Sequence, residues 1–467
     1  MMYTNYMLQI AQESKEKVLE AIHEGRIDAA DISRPNFIDN IVLKMYELGV
    51  IDDLDMLVKD KRKPNTVIPL KFIWTLAIAA KMKVHTSLTD IPFGITDGEV
   101  LASLGYSLWD LGRDLEKGLM DEGAIRHIIG KYDRKELVSG YNNCVQTLIL
   151  PRVGVQPNVH ILDCTKLEVE LKNENYEESS VVKEEGKSQR GYKLSTLRGI
   201  TGDSGIIEEI RLGTIKEHDL ELSREILSKS EMLKSGDILI NDRGFLSREI
   251  MNDLKTRREV DTYIPLKKNM NAYQDAVTIA KTEGRWQPHP NKKRKTQKIA
   301  FVPEIGAMWQ SDEPDKDVPL NACVIFDSKD GEYYVFVTTD TSKTAKSIIK
   351  TYELRPEIEE DYRQLKDFWC LDDFKSTKIN VITFHVICTL LGYLMFQLYV
   401  GTEEGSSFSG KSLPVVVKKY IPTEKPKSVV IYVGQYFAVF HFVELLHLYS
   451  SLAGDIRSRL DSVLALL

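Results

Sequence analysis

The sequence predicts an α/β protein in which a mixed sheet, covered by helices, lies between helical N- and C-terminal regions. Three observations carry this. Residues 157–268 read strand, strand, strand, helix, strand, helix, strand, and hairpin-linked strands followed by alternating helices and strands build a mixed sheet. Residues before 150 carry apolar side chains at three- and four-residue spacing, the mark of amphipathic helices. At 467 residues the chain is too long for one small core, so several domains or large insertions are expected.

In chain order, "SKEKVLEAIHEG" and "PNFIDNIVLKMYELGVIDDLDMLV" supply the first helices, and the basic run "KDKRKP" (59–64) reads as a solvated turn. "PNVHILDCTKLEVEL" (157–171) is rich in β-branched residues and reads as a buried strand running into an alternating one. The polar stretch 172–190 has no apolar period and reads as a loop. "GYKLSTLRGIT" and "SGIIEEIRLGTI" are two strands joined by a Thr-Gly-Asp-Ser-Gly turn. "DLELSREILSKSEML" is a helix with Asp219 as its N-cap. "GDILINDRGF" is a short strand ending on a charged turn, "LSREIMNDLKTRREV" a helix and "DTYIPLKK" a strand. Residues 269–322, broken by Pro, Gly and basic side chains, read as an insertion, and "NACVIFDS" and "EYYVFVTTD" return to β character. The tail from "GQYFAVFHF" onward reads as helices.

Residues 379–401 carry no formal charge over a length able to cross a bilayer. Their polar members Asn380, Thr383, His385, Thr389 and Gln397, and the lack of a second such segment, favour a buried helix over a membrane span. The N-terminus lacks the small-residue cleavage site of a signal peptide. Five scattered cysteines without a CxxC pair argue against structural zinc and a disulfide framework, and suit a reducing cytoplasm. A net charge of −7 gives no hint of nucleic acid, so DNA binding has to rest on local basic patches.

Two acidic residues stand where apolar strands end: Asp163 in "HILDCTK" and Asp242 in "DILINDRGF". An Asp there is costly unless paired, hydrogen-bonded or bound to a metal; taken singly, each also reads as a turn or cap residue. "TYELRPEIEEDYRQLKDFW" (351–369) offers a third carboxylate. Pro356 reads as the first residue of a helix, so Glu359 and Lys366 share one face of it, with Tyr352 and Arg355 leading in. By spacing alone this is also the pattern of a solvated helix surface.

These three segments resemble the catalytic segments of DDE transposases of bacterial and archaeal insertion sequences, in the group marked by Tyr-x2-Arg-x3-Glu-x6-Lys. The signature is matched at Tyr352, Arg355, Glu359 and Lys366, while Cys164 departs from the Asp-Ser/Thr-Thr pattern of the first segment. The likeness covers roughly 155–400. It implies an RNase H-like core with a mixed five-stranded sheet and a β-rich insertion. The resulting division is a helical DNA-binding or accessory domain at 1–150, the core at 155–268 and 323–400, the insertion at 269–322 and a helical C-terminal region at 401–467.

The resemblance further implies that Asp163, Asp242 and Glu359 hold two Mg2+ (or Mn2+) ions. These would serve cleavage at the element's ends and attack of the freed 3′-hydroxyl on target DNA. Two divalent ions can stabilise attacking and leaving oxygens together, and hard cations take carboxylate ligands. Arg355, Lys366 and Tyr352 would contact phosphates, with Arg243 a further candidate. Lys292, Lys293, Arg294 and Lys295 form the strongest basic run, assigned to the DNA backbone. Trp286 and Trp309 are candidates for stacking a flipped base, or for core packing. The partners implied are double-stranded DNA and a second copy of the chain, without a membrane, in a prokaryotic cytoplasm at the nucleoid. Competing readings are an RNase H-like nuclease without strand transfer, a domesticated DNA-binding protein, and an Asp-nucleophile phosphatase, which Thr165 disfavours by standing where such enzymes carry a second Asp.

Overall fold

The computed structural model describes residues 9–464 except 11, 65, 67, 96, 108–120, 185, 202–203, 306–316, 414 and 417–427. The chain forms two compact units, one of Tyr141–Gln364 and one of Met1–Gly140 with Leu365–Leu467.

The unit Tyr141–Gln364 is built on one ten-stranded sheet. Its strands are β1 (Val159–Val169), β2 (Ser180–Glu184), β3 (Lys187–Thr201), β4 (Ser204–Thr214), β5 (Ile238–Asn241), β6 (Asp261–Pro265), β7 (Gln287–Pro288), β8 (Gln297–Val302), β9 (Asn321–Asp327) and β10 (Glu332–Thr338). They lie in the order β7-β8-β9-β10-β6-β5-β1-β3, and the outer edge of β3 takes β2 along its first part and β4 along the rest. The five strands read from 157–268 thus stand side by side as β4-β3-β1-β5-β6. The first three are antiparallel, and β5 and β6 run parallel to β1. Parallel neighbours need a crossover, which helices α1 (Asp219–Lys229) and α2 (Arg248–Arg258) provide. The antiparallel strands β8 to β10 then extend the sheet beyond β6.

Three local expectations change. Residues 172–190 contain β2 and the start of β3, a hairpin closed at Gly186, whose φ of 82° suits glycine. Its ribbon is exposed on most positions, so turn geometry and not an apolar period sets the pairing. The N-cap of α1 is His218, whose Nδ1 accepts from the Leu220 N–H. Asp219 is the first helical residue, and its carboxylate binds Lys193 Nζ at 2.6 Å. The insertion opens with helix α3 (Asn271–Thr282), because Ala272, Tyr273, Ala276, Val277 and Ala280 recur at helical spacing and are buried.

Helix α4 (Ala345–Tyr352) ends three residues before α5 (Pro356–Asp367). Pro356 takes the first position of α5, where a missing N–H costs no hydrogen bond. Ile161, Ile240, Tyr263, Ile325, Ile348 and Ile358 fill one core cluster. Each such fully buried side chain contributes about 1.5–3 kcal/mol.

In the other unit, helix Ile379–Val400 has the length and hydropathy of a membrane span, yet it is mostly buried within the protein. Trp74 of helix Leu70–Met82 stacks on Phe384 at 4.9 Å. Three polar members of the helix find partners inside: Thr383 and Thr389 donate to the Ile379 and His385 carbonyls, and His385 Nε2 bonds the Cys370 carbonyl.

The region expected to be helical after 401 includes a hairpin, Ser428–Val433 with Tyr436–His441, turning at Gly434 with φ 58°. Ala29–Ser33 and Gln12–Glu13 complete a four-stranded sheet. "SVVIYV" and "YFAVFH" around Gly-Gln carry the β-branched and aromatic signature of such a hairpin.

Candidate active site

Strands β1 and β5 pair in parallel as far as Leu162 and Asn241. Asp163 and Asp242 are the next residue on each, side by side where this ladder ends. β5 stops because the Phe245 N–H turns back to the Asp242 carbonyl at 3.0 Å, closing one helical turn over Arg243–Phe245. β1 continues against β3, with Asp163 opposite Thr196. Glu359 lies in the first turn of α5.

Arg355, just before that helix, gathers the three carboxylates. Its Nη2 is 3.0 Å from Asp163 Oδ2 and 3.9 Å from Asp242 Oδ2, and its Nη1 is 2.5 Å from Glu359 Oε1. Exposure grades outward, from 13% for the Asp163 side chain to 38% for Asp242 and 56% for Glu359. The site is therefore an acidic edge with one buried and two accessible members.

Burial foremost pushes the Asp163 carboxyl up to about 6, with Asp242 and Glu359 adding to it, while Arg355 and the Cys164 N–H at 2.9 Å oppose. Burial works against the Arg355 charge, but Asp163 and Asp242 hold its pKa above the usual value. The Tyr352 ring packs on Phe336 at 4.7 Å; burial and the neighbouring carboxylates keep its hydroxyl protonated.

Other residues of α5 fasten Glu359 to the sheet. The Tyr362 hydroxyl donates to the Asp163 carbonyl at 2.8 Å, and the Thr196 hydroxyl lies 2.5 Å from it. Arg198 of β3, almost fully buried, donates to Asp361 at 2.5 Å and to Glu357 at 3.0 Å. Its guanidinium lies about 2 Å from where a Cβ on Gly205 would sit, so a side chain there would push Arg198 out of this arrangement. Sequence reading passed over Arg198, Asp361 and Tyr362. Tyr362 stands three residues after Glu359, a spacing that puts the two side chains beside each other on the helix surface.

Arg243 follows Asp242 on an exposed turn. Lys366 stands on α5 seven residues beyond Glu359 and is half-buried. Lys292, Lys293, Arg294 and Lys295 form an exposed turn between β7 and β8, in which Arg294 Nε bonds Glu353 Oε1 at 3.2 Å. Trp286, half-buried, packs edge-on against Phe326 with ring centres 6.3 Å apart, and Tyr333 lies at the same distance. Trp309 lies outside the described residues.

A second buried polar group lies three residues before Asp163 on β1. His160 bonds Glu208 Oε2 at 2.7 Å and Asp237 Oδ2 at 3.2 Å. Glu208 is the extra residue of a bulge between β3 and β4, a device that re-aims a side chain.

A layered α/β unit in which three carboxylates meet where two strands stop pairing in parallel and a helix starts defines a class of protein with an acidic centre. A family model described as the transposase DDE domain matches residues 156–395, just over half of the 467 residues, and the chain belongs to that family. No curated protein matches the chain in sequence.

Proposed function

We propose that the protein is a DNA transposase of the Tyr-Arg-Glu-Lys type, built on an RNase H-like core, that cuts at the ends of its insertion sequence and transfers the freed 3′-hydroxyl to target DNA. The observation that carries this reading is the convergence of Asp163, Asp242 and Glu359 on one guanidinium in a chain of the transposase DDE family. The strand order β4-β3-β1-β5-β6 with crossover helices supports the RNase H-like assignment.

The three carboxylates are hard oxygen donors, and in donor chemistry they fit Mg2+ or Mn2+. Among the described residues no group of three His, Cys, Asp or Glu side chains stands at metal-holding spacing; the cation the carboxylates share is Arg355. On this reading Asp163, Asp242 and Glu359 would together hold the divalent ions. Bound there, divalent ions supply charge stabilisation at the attacking and leaving oxygens of a phosphodiester. Arg355, placed to swing from the carboxylates to a phosphate, orients the scissile group with its planar fork, and Lys366 adds a point charge. Tyr352, protonated, presents a hydroxyl donor beside them. Double-stranded DNA is the substrate, and a homodimer holding two element ends is the assembly that the resemblance implies.

The test uses purified protein and a plasmid carrying its gene with several hundred flanking base pairs, in Mg2+, Ca2+ or chelator, with wild type and Glu359→Gln. Mg2+-dependent cuts at two fixed flanking positions, lost in the variant, are expected. Nicks without joined products would leave a nuclease, and cutting that survives Glu359→Gln would overturn the assignment of the site.

A further inference from the structure

Lys292, Lys293, Arg294 and Lys295 are all exposed. Arg294 differs in being paired: its Nε donates to Glu353 Oε1, which also accepts from Asn291 Nδ2 at 3.1 Å. Asn291 organises the turn around itself. Its Oδ1 accepts from the Lys293 N–H at 3.1 Å, its carbonyl from the Arg294 N–H at 3.0 Å, and its own N–H donates to His289 Nδ1 at 3.1 Å. The Gln297 N–H then closes on the Arg294 carbonyl at 3.1 Å. One carboxylate oxygen therefore holds both the hub of the turn and its arginine. Glu353 is the residue that ends α4, and its side chain is only 23% exposed. It precedes Arg355 by two residues, so their Cα atoms are at most about 7.6 Å apart.

We propose that Glu353 is a positioning residue that fastens the Lys292–Lys295 turn to the Tyr352–Arg355 segment, so that Lys292, Lys293 and Lys295 grip DNA backbone phosphates in fixed register with the phosphate held by Arg355. This rests on the transposase reading of the site. The partner surface is the sugar-phosphate backbone flanking the reacting bond, and the three lysines are its contacts, while Arg294 pairs with Glu353. A carboxylate near DNA weakens affinity for it, so Glu353 is not retained for binding strength. Its contribution is register, and register shows in the rate of chemistry: small misplacements cost on the order of 10- to 100-fold.

The experiment compares wild type, Glu353→Ala, Glu353→Gln, the triple Lys292→Ala/Lys293→Ala/Lys295→Ala, and the triple combined with Glu353→Ala. End-DNA affinity is measured at several salt concentrations, single-turnover cleavage at saturating protein, and amide hydrogen exchange at Lys293, Arg294 and Gln297 without DNA. Glu353→Ala is expected to bind ends at least as tightly as wild type, to cleave ~10-fold more slowly and to lose protection of those amides, with Glu353→Gln recovering most of the rate. The triple variant should flatten the salt dependence by about one slope unit per lost contact, and adding Glu353→Ala to it should change nothing further. Unchanged amide protection in Glu353→Ala would overturn the clamp even if no DNA were ever cut. A full-size rate loss on top of the triple variant would show that Glu353 does not act through the lysines. Failure of wild type to cut its ends, with the amide result intact, would fault the transposase reading and not the clamp.

Discussion

Replacing Tyr362 by Phe removes one oxygen and leaves the ring in its buried place. That oxygen is shared by the Asp163 carbonyl at 2.8 Å and the Thr196 hydroxyl at 2.5 Å. Its loss deprives a carbonyl and a hydroxyl of a partner inside the protein, at a cost of about 1–3 kcal/mol for each group left unsatisfied. Thr196 can rotate to a new acceptor, which leaves a net loss of about 2 kcal/mol. For a unit of this size that lowers Tm by roughly 4–8 °C. The same hydroxyl holds the Asp163 backbone to the helix carrying Glu359, so the two carboxylates lose their fixed relation. Cleavage should then fall by ~10- to 100-fold, since reaction rates are sensitive to shifts of about 1 Å. Thermal unfolding and single-turnover cleavage on a DNA end, below the variant's melting range, measure the two effects separately. A variant of lowered Tm that cuts at the wild-type rate would reduce Tyr362 to a packing residue, and an unchanged Tm would mean the hydroxyl is not bonded as described.

Other outcomes follow from the same contacts. Arg198→Met removes the guanidinium from Asp361, which stays buried, and should destabilise by about 3–5 kcal/mol in urea unfolding. Burial lowers the His160 pKa, but Asp237 and Glu208 outweigh it and push the imidazole up to about 9, above its ordinary 6.5. Its contribution is complete below pH 6.5 and is lost as pH rises through 9. The Tm of the wild type should therefore decline over that interval, and His160→Gln should show a flatter profile. Arg355→Ala frees the three carboxylates from their shared cation. DNA-free protein should then bind Mn2+ on the order of tenfold more tightly by calorimetry, a change of about 1.4 kcal/mol, while end cleavage is lost.

Much of the site could be read in the chain because its parts are local. "HILDCTK" and "LINDRGF" each end an apolar run on an Asp, and parallel pairing of the two strands then brings those ends together. Pro356 marks the start of α5 through its missing N–H. The exposed hairpin of β2 and β3 was not legible, since turn geometry, not burial, sets its register. Nor was the pairing of Ser428–Val433 with Ala29–Ser33, because strands about 400 residues apart leave no local signal of each other. Arg198, Asp361 and Glu353 look like ordinary surface charges in the sequence. Only the fold brings Arg198 against Asp361, or Glu353 against Asn291 and Arg294.

On the proposed function, Asp163, Asp242 and Glu359 would hold divalent metal directly for DNA cutting. Asp242→Cys tests it, because a thiolate is a poor ligand for Mg2+ and a better one for softer ions. The variant should bind element ends as wild type does, cut nothing in Mg2+, and regain cutting when Mn2+ replaces it. Cutting in Mg2+ at the wild-type rate would contradict it.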